Sequence, residues 1–349
     1  MLSRITRDVL DSFLLCKHKA HRKLTGQMGI PCDYQTVLDH RGEQFHHEII
    51  ERLAASAAQQ GLVVTTEILG QGHEILLLPT LEDESFSIGY DALQKVAGGS
   101  KLGNFHYVPV LFGDPHHRHR RQRRILEIQA LLLAGVQGRL PAHGLLRGAG
   151  SGRAATVRLG ADLREAQRML EELRRMQAGG PEPALVLNEQ CAVCEFRREC
   201  REAAMRTDNL SLLRGMHPKE IARYNRKGIL TVTQLALTFR PRRKGKRAPP
   251  NHRHNHALQA VAIRDHRIYV LGTPQLPNRP VRIYLDVESN PEAGYAYLIG
   301  LIVVDDGEER RYSFWAAAKD QEPQIFEQFL AWSNSEPIRW HSRQRDANH

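Results

Sequence analysis

The chain has 349 residues, of which 41% are hydrophobic, so it can hold two or three domains with cores of their own. Its 49 lysine and arginine residues outnumber 39 acidic ones, and the formal net charge of +10 favours a polyanionic partner. No apolar run approaches the ~20 residues of a membrane helix, and charged residues interrupt the first apolar segment. The sequence therefore predicts a cytoplasmic protein with no membrane span and no secretion signal.

Helices and strands alternate through residues 1–205, which predicts one mixed α/β domain. Apolar residues at helical spacing predict helices at residues 5–24, 34–57, 124–137 and 161–178. Alternating or continuous apolar runs predict strands at residues 63–68, 74–79, 85–92, 106–112 and 155–159.

The rest of the chain divides into three segments of different composition. Residues 206–240 predict a compact helical segment, and residues 241–258 form a basic, proline-rich linker. The segment 259–349 predicts a second α/β layer, with strands at residues 268–271, 281–286, 295–304 and 310–315 and a helix at residues 322–333.

Four of the five cysteines form a spaced set. Cys16 stands alone near the N-terminus, and Cys191, Cys194 and Cys200 follow as C-x2-C-x5-C about 175 residues later. Four thiolates suit a 4Fe–4S cluster or, as the alternative, a zinc ion. Charged neighbours of the triplet would be awkward in an apolar core, which favours a shared metal site. Cys32 lies outside the pattern and is interpreted as a small buried apolar residue.

Positive charge is concentrated in two segments. They are residues 116–124 (HHRHRRQRR) and residues 240–253 (RPRRKGKRAPPNHR). Either alone is also typical of a solvated linker. Together they favour a nucleic acid partner, since neutralised phosphates supply salt-dependent affinity.

Several motifs of the first domain together resemble one known family. The first helix reads FLLCKHKAHRKL, Gly42-x3-His46 follows in the second, Gly89-Tyr90-Asp91 ends a strand, and the cysteine triplet closes the domain. This order resembles the RecB-like nuclease family in its iron–sulfur form, which includes CRISPR-associated RecB-like exonucleases. The resemblance implies a restriction-endonuclease-type fold and a catalytic Mg²⁺ or Mn²⁺ ion held by His46 and Asp91.

The chain departs from that family where the third metal ligand should stand. The resemblance implies an acid-x-Lys pair within residues 106–114, which read HYVPVLFGD and hold only Asp114 as an acid. The helix that should carry Gln-x3-Tyr has Gln129 followed by Leu133. Two ligands do not hold Mg²⁺ firmly, so the site is expected to be degenerate.

The segment 206–240 resembles a helix–hairpin–helix unit, with Leu213-x-Gly215 before one helix and Gly228-Ile229 before another. Glycines there would let backbone N–H groups approach a phosphate. The alternative is a generic helical hairpin in which Gly228 only ends a helix. The candidate nucleic-acid-binding residues are Gly215, Lys219, Lys227, Gly228, Arg240, Arg242, Arg243, Lys244, Lys246 and Arg247.

Two acids mark the C-terminal layer. Asp286 and Glu288 stand two residues apart on one predicted strand and so share a face, where they could bind divalent cations. With the strands that follow, they resemble the start of a ribonuclease-H-like exonuclease domain. Its later strands and acids do not follow, so the sequence predicts a truncated, partial domain of this type.

Two functional hypotheses result. The first is a metal-dependent nuclease that hydrolyses DNA phosphodiesters through Asp91 and His46, or Asp286 and Glu288, possessing a structural 4Fe–4S cluster. The second is a catalytically inactive nucleic-acid-binding protein in which that cluster has only a structural role.

Overall fold

The computed structural model describes residues 3–54, 59–113, 120–148, 154–160, 163–240, 255–270, 280–290 and 294–335. These residues contain eleven α-helices and three β-sheets, so the predicted mixed α/β class is confirmed. The chain divides into two compact units, Met1–Ile268 and Tyr269–His349. None of the helices in the described ranges is both long and apolar enough to cross a bilayer.

The first unit is built around a six-stranded sheet of order β2-β3-β6-β7-β8-β9 and a three-stranded sheet of order β1-β5-β4. Its strands are β1 (Ile5–Thr6), β2 (Gln59–Gln60), β3 (Ile75–Leu77), β4 (Thr80–Glu82), β5 (Phe86–Gly89), β6 (Ala92–Ser100), β7 (Gly103–Phe112), β8 (His143–Arg147) and β9 (Ala155–Arg158). Its helices are α1 (Arg7–Leu15), α2 (Lys17–Leu24), α3 (Asp33–Ala54), α4 (Thr66–Gly70), α5 (Arg120–Gln137), α6 (Arg164–Gln177), α7 (Arg197–Arg206), α8 (Pro218–Asn225), α9 (Val232–Leu237) and α10 (His256–Arg264).

The first predicted helix is two helices that meet at Cys16. Cys16 has extended backbone angles, φ −160° and ψ 113°, and these end α1. Its sulfur then accepts the backbone N–H of Lys19 at 3.5 Å and caps the start of α2. Apolar periodicity continues across the junction because both helices bury a face, so periodicity alone did not reveal the break.

Residues 63–68 do not form the predicted strand. The β-branched run there favoured a strand, but the hydroxyl of Thr65 accepts the N–H of Ile68 at 3.2 Å and starts the short helix α4. Only Val63 keeps a single parallel bridge, to Thr80. Local capping chemistry therefore decided the structure of this segment.

Three strands of the large sheet, β2, β6 and β8, were not predicted. The antiparallel pair β6 and β7 is interrupted by Gly98-Gly99, which is typical of a turn, and Gly98 adopts φ +131°. Strand β8 is short and pairs in parallel with the end of β7. These pairings place the carboxylate of Asp91, between β5 and β6, beside the end of β7.

The helical segment extends further along the chain than predicted. Leu210, Val232, Leu235 and Ala260 belong to one buried cluster, which joins α9 to α10. Residues 256–264 therefore belong to the first unit, although the sequence predicted a β-rich domain from residue 259. The described residues 268–270 contain no strand.

The second unit contains β10 (Val281–Asn290), β11 (Tyr295–Asp305), β12 (Glu308–Trp315) and α11 (Glu322–Ser335). These three strands form an antiparallel sheet in sequence order, as predicted. Helix α11 packs on one face, where Ile299 and Ile325 are buried and the rings of Phe314 and Phe329 lie 6.3 Å apart.

A buried glutamine completes the hydrogen bonding of β7. Gln137 is fully buried, its Oε1 accepts the N–H of Tyr107 at 2.8 Å, and its Nε2 donates to the Tyr107 carbonyl at 3.0 Å. The parallel pairing with β8 begins only at Val110, so Gln137 acts in place of a strand neighbour.

We expect Gln137→Leu to lower the free energy of unfolding, because it leaves both backbone groups of Tyr107 buried without a partner. Each unsatisfied group costs about 1–3 kcal/mol. Urea denaturation measures the change, with Gln167→Leu, an exposed position on α6, as the control. Equal effects of the two substitutions would contradict this role of Gln137.

Candidate functional site: the cysteine cavity and the carboxylate positions

The four spaced cysteines line one cavity. Cys16 lies at the junction of α1 and α2, Cys191 and Cys194 in the segment before α7, and Cys200 within α7. The cavity has a volume of about 50 Å³. All of them are free thiols. Cys32 is not among the lining residues, and its thiol donates to the Val193 carbonyl at 3.6 Å.

Each of the four sulfurs accepts an N–H hydrogen bond. Three donors are backbone amides and one is a guanidinium: Lys19 N to Cys16 at 3.5 Å, Asn188 N to Cys191 at 3.3 Å, Phe196 N to Cys194 at 3.5 Å, and Arg22 Nη1 to Cys200 at 3.6 Å. Such bonds stabilise negative charge on sulfur and tune the reduction potential of sulfur-ligated metal centres. These donors could not be predicted from the sequence, since three are backbone amides, which every residue except proline has, and Arg22 lies 178 positions from Cys200.

Polar contacts hold the two ends of the domain together around the cavity. Asn188 donates to the carbonyl of Leu15 at 3.2 Å. Glu195 pairs with Lys19 at 3.0 Å and with Lys23 at 3.2 Å. Burial alone would raise the pKa of Glu195, but the two lysines lower it below its ordinary value. The pair of N-terminal helices is therefore fastened to the cysteine triplet by charge as well as by packing.

The chain passes too close to Glu195 at Gly29 for any larger residue. A Cβ at Gly29 would lie 2.5 Å from Cγ of Glu195 and 2.8 Å from its carbonyl carbon. The next amide, that of Ile30, donates to the Glu195 carbonyl at 2.9 Å. Glycine therefore allows the loop after α2 to lie against the triplet segment.

Two of the thiols have raised pKa values. Burial is the main cause for Cys191 and for Cys200, and the other cysteines of the set add to it. The Asn188 amide and the Arg22 guanidinium oppose the rise without cancelling it. Burial and the neighbouring sulfurs thus oppose ionisation of Cys191 and Cys200, and a bound cation would favour their thiolate forms.

The cysteines of this cavity agree with a thiolate-bound metal centre in the type and number of ligands. Four sulfurs, each with an N–H donor, match the ligand number of a 4Fe–4S cluster or a structural zinc ion. Within the ranges that the structure describes, no group of three or more histidine, cysteine, aspartate or glutamate side chains is arranged to hold a metal ion. The fit consequently depends on the donor set and its hydrogen bonds.

His46 and Asp91 both contact Phe112, at the end of β7. Asp91 is mostly buried, and its Oδ2 accepts the N–H of Phe112 at 2.8 Å. The half-buried ring of His46, on α3, lies edge-on to the ring of Phe112, with centroids 5.5 Å apart. The sequence therefore predicted two side chains that do lie close to one strand end.

The surroundings of Asp91 are those of a structural carboxylate. Arg7 places its Nη1 3.9 Å from Oδ1 of Asp91, and its Nε bonds Asp11 at 3.0 Å. The adjacent positions of β7, Val110 to Phe112, are buried apolar residues. The guanidinium of Arg7 thus faces the carboxylate of Asp91, and apolar core side chains occupy positions where the sequence predicted a third metal ligand.

Gln129 is fully buried beside this site. Its Nε2 donates to the Gly89 carbonyl at 3.4 Å, and its backbone carbonyl accepts the hydroxyl of Tyr90 at 2.9 Å. Burial raises the pKa of Tyr90. Leu133, four residues on, is a core residue. Asp114 lies outside the described residues.

Asp286 and Glu288 share one face of β10, as predicted from their spacing. Both are exposed, and they stand opposite Gly300 and Leu298 of β11. Oδ1 of Asp286 accepts the N–H of Val287 at 3.0 Å. Asp286 lines an open depression of about 440 Å³ together with Arg311 and Ser313.

The predicted phosphate-binding loop at Gly228 is already hydrogen-bonded within the chain. Gly228 has φ +76°, and its N–H donates to the Asn225 carbonyl at 2.9 Å, which ends α8. At the start of α9, Val232 and Thr233 donate to the carbonyl and the carboxylate of Asp208 at 2.9 and 2.8 Å. These amides are not available to a phosphate.

Only some of the remaining candidate nucleic-acid-binding residues lie in the described part of the chain. Lys219, Lys227 and Arg240 are exposed on the helical segment, and Gly215 adopts φ +76°. Arg242, Arg243, Lys244, Lys246 and Arg247 lie outside the described residues. Their contact with nucleic acid stays a prediction.

No protein-family model matches the chain, and no curated protein matches it with significance.

Proposed function

We propose that this chain is a nucleic-acid-binding protein of the RecB-like nuclease type, in which Cys16, Cys191, Cys194 and Cys200 hold a structural 4Fe–4S cluster. The observation that carries the proposal is the single cavity lined by these four cysteines, each with an N–H donor to its sulfur. A bound cluster would crosslink the first helices to the end of the domain. Zinc is the alternative occupant of the same ligands.

Binding without cleavage is favoured over hydrolysis in the first unit. Asp91 already accepts a backbone N–H and faces Arg7, so a divalent cation would compete with a guanidinium for its carboxylate. Mg²⁺ needs several oxygen ligands in nearly octahedral order, and the neighbouring positions of β7 are apolar.

A second candidate function is Mg²⁺- or Mn²⁺-dependent phosphodiester hydrolysis in the second unit. It is supported by the exposure of Asp286 and Glu288 on one strand face, where two carboxylates can share a metal pair. Activity that Asp286→Ala abolishes, and that Asp91→Ala leaves unchanged, would assign hydrolysis to this unit.

We expect labelled DNA oligonucleotides to bind the wild-type protein with an affinity that falls steeply as salt rises, because lysines and arginines displace counterions from phosphates. Replacing residues 240–247 by a neutral linker of equal length should weaken binding and flatten the salt dependence. Fluorescence anisotropy over a series of NaCl concentrations measures both.

The control carries the same eight residues in shuffled order and should keep the wild-type salt dependence, since charge is conserved. A neutral linker with an unchanged salt slope would show that this segment makes no phosphate contacts. A wild-type protein that binds neither DNA nor RNA would refute the proposed function.

A further inference from the structure

A wide groove lies next to the cysteine cavity in the first unit. Its volume is about 950 Å³. One wall is formed by the cysteine segment and α7, and the other by residues 211–218, which lead into α8. Asn188, Gln190, Cys191 and Arg197 line both the groove and the cysteine cavity. The groove was not found from the sequence because its walls come from two separate segments.

The groove is strongly basic. Arg197, Arg198 and Arg201 line it from α7 and Arg214 from the opposite wall, against a single carboxylate, that of Glu189. Arg198 pairs with Glu202 at 3.3 Å. Among the described residues, Arg197, Arg201 and Arg214 have no carboxylate partner. Three exposed guanidinium groups are thus free to bind an anion.

The wall opposite α7 also contains a buried hydroxyl, that of Ser211. Ser211 is only 7% exposed, yet its Oγ has no hydrogen-bond partner in the described part of the chain. An orphaned hydroxyl is costly unless something hydrogen-bonds to it. The groove wall also includes the N-terminus of α8 at Pro218, but the carboxylate of Glu220 already accepts the N–H of His217 there at 3.2 Å, so the arginines are the groove's anion-binding groups.

We infer that this groove binds the phosphate backbone of a nucleic acid through Arg197, Arg201 and Arg214. Guanidinium groups match phosphate oxygens in a bidentate geometry. The net charge of +10 favours a nucleic acid over a neutral ligand. Because the amides at the start of α9 are bonded to Asp208, the groove offers phosphate donors that the Gly228 loop does not. The inference rests on the proposed function and assigns nucleic acid binding to this groove.

The test compares two triple variants of equal charge in the full chain. The groove variant is Arg197→Gln, Arg201→Gln, Arg214→Gln. The control is Arg168→Gln, Arg175→Gln, Arg206→Gln, three exposed arginines that do not line the groove. Binding of a labelled single-stranded DNA is measured by anisotropy across a series of salt concentrations, and circular dichroism compares the folding of both variants with that of the wild type.

We expect the groove variant to lower the magnitude of the log K against log salt slope by roughly 2, at about 0.7 for each phosphate contact on a single strand. The control should change the slope much less.

Equal slopes for the two triple variants, in a protein that still binds DNA, would overturn the groove assignment and leave the proposed function standing. A wild-type protein that binds phosphatidylserine vesicles but neither DNA nor RNA would overturn both.

Discussion

Cys16→Ser is expected to lower the melting temperature of the first unit sharply, although serine is the better helix cap. Serine at this position can still cap α2 through its hydroxyl, so the local helix is kept. What would be lost is the proposed metal ligand that closes a loop of about 175 residues, and crosslinking a loop of that size stabilises by roughly 5 kcal/mol in the chain-entropy estimate. For a unit of this size, that corresponds to a fall of roughly 10–20 °C.

Thermal unfolding of anaerobically purified protein measures the loss, and an iron and zinc assay on the same samples shows whether a metal leaves with it. Cys32→Ser is the matched control, because Cys32 is a free thiol outside the cavity. If Cys16→Ser leaves both melting temperature and metal content unchanged, the four cysteines do not share a metal centre.

Asp91→Ala is expected to destabilise the protein without changing any nuclease activity. The substitution leaves the buried N–H of Phe112 without its acceptor and Arg7 without one of its carboxylates, for a loss of about 1–3 kcal/mol. Asp91→Asn keeps a carbonyl oxygen as acceptor and should cost less. Urea denaturation compares the three proteins, and a DNA cleavage assay with Mg²⁺ or Mn²⁺ is run beside it.

The wild-type protein should show weak cleavage or none under these conditions. Strong cleavage that disappears in both Asp91 variants at unchanged stability would identify Asp91 as a catalytic metal ligand. Asp114 or another acid would then have to complete the site with His46.

The sequence predicted those features that depend on short-range patterns. Cysteine spacing identified the four cysteines among the residues that line the cavity, and hydrophobic periodicity located the longer helices, four strands of the first unit and all three strands of the second. Asp91 was predicted at a strand end and lies between β5 and β6, whereas its contact with the end of β7 depends on the pairing of β6 with β7, which was not predicted. Where the prediction succeeded, its basis was a residue type or a spacing that can be read directly from the sequence.

Features made by distant residues could not be predicted. Arg7 faces Asp91 across 84 positions, and Asp208 bonds the amides that begin α9 about 25 positions later. Both contacts decide whether a candidate site is available to a ligand. The sequence does not show which buried polar group a distant charged residue will contact. The motifs at Asp91 and Gly228 therefore suggested ligand sites whose polar groups are already bonded to other residues of the chain.

The wall between the cysteine cavity and the basic groove imposes a thermodynamic constraint. Cys191 and Arg197 contribute to both spaces, so a change on one side acts on the geometry of the other. If the thiols hold a metal and the groove binds DNA, as proposed, linkage is reciprocal: metal occupancy changes the affinity of the groove for DNA by the same factor by which DNA changes the affinity of the thiols for metal. Chelator resistance measured with and without DNA therefore reports the same coupling free energy as DNA affinity measured with and without metal.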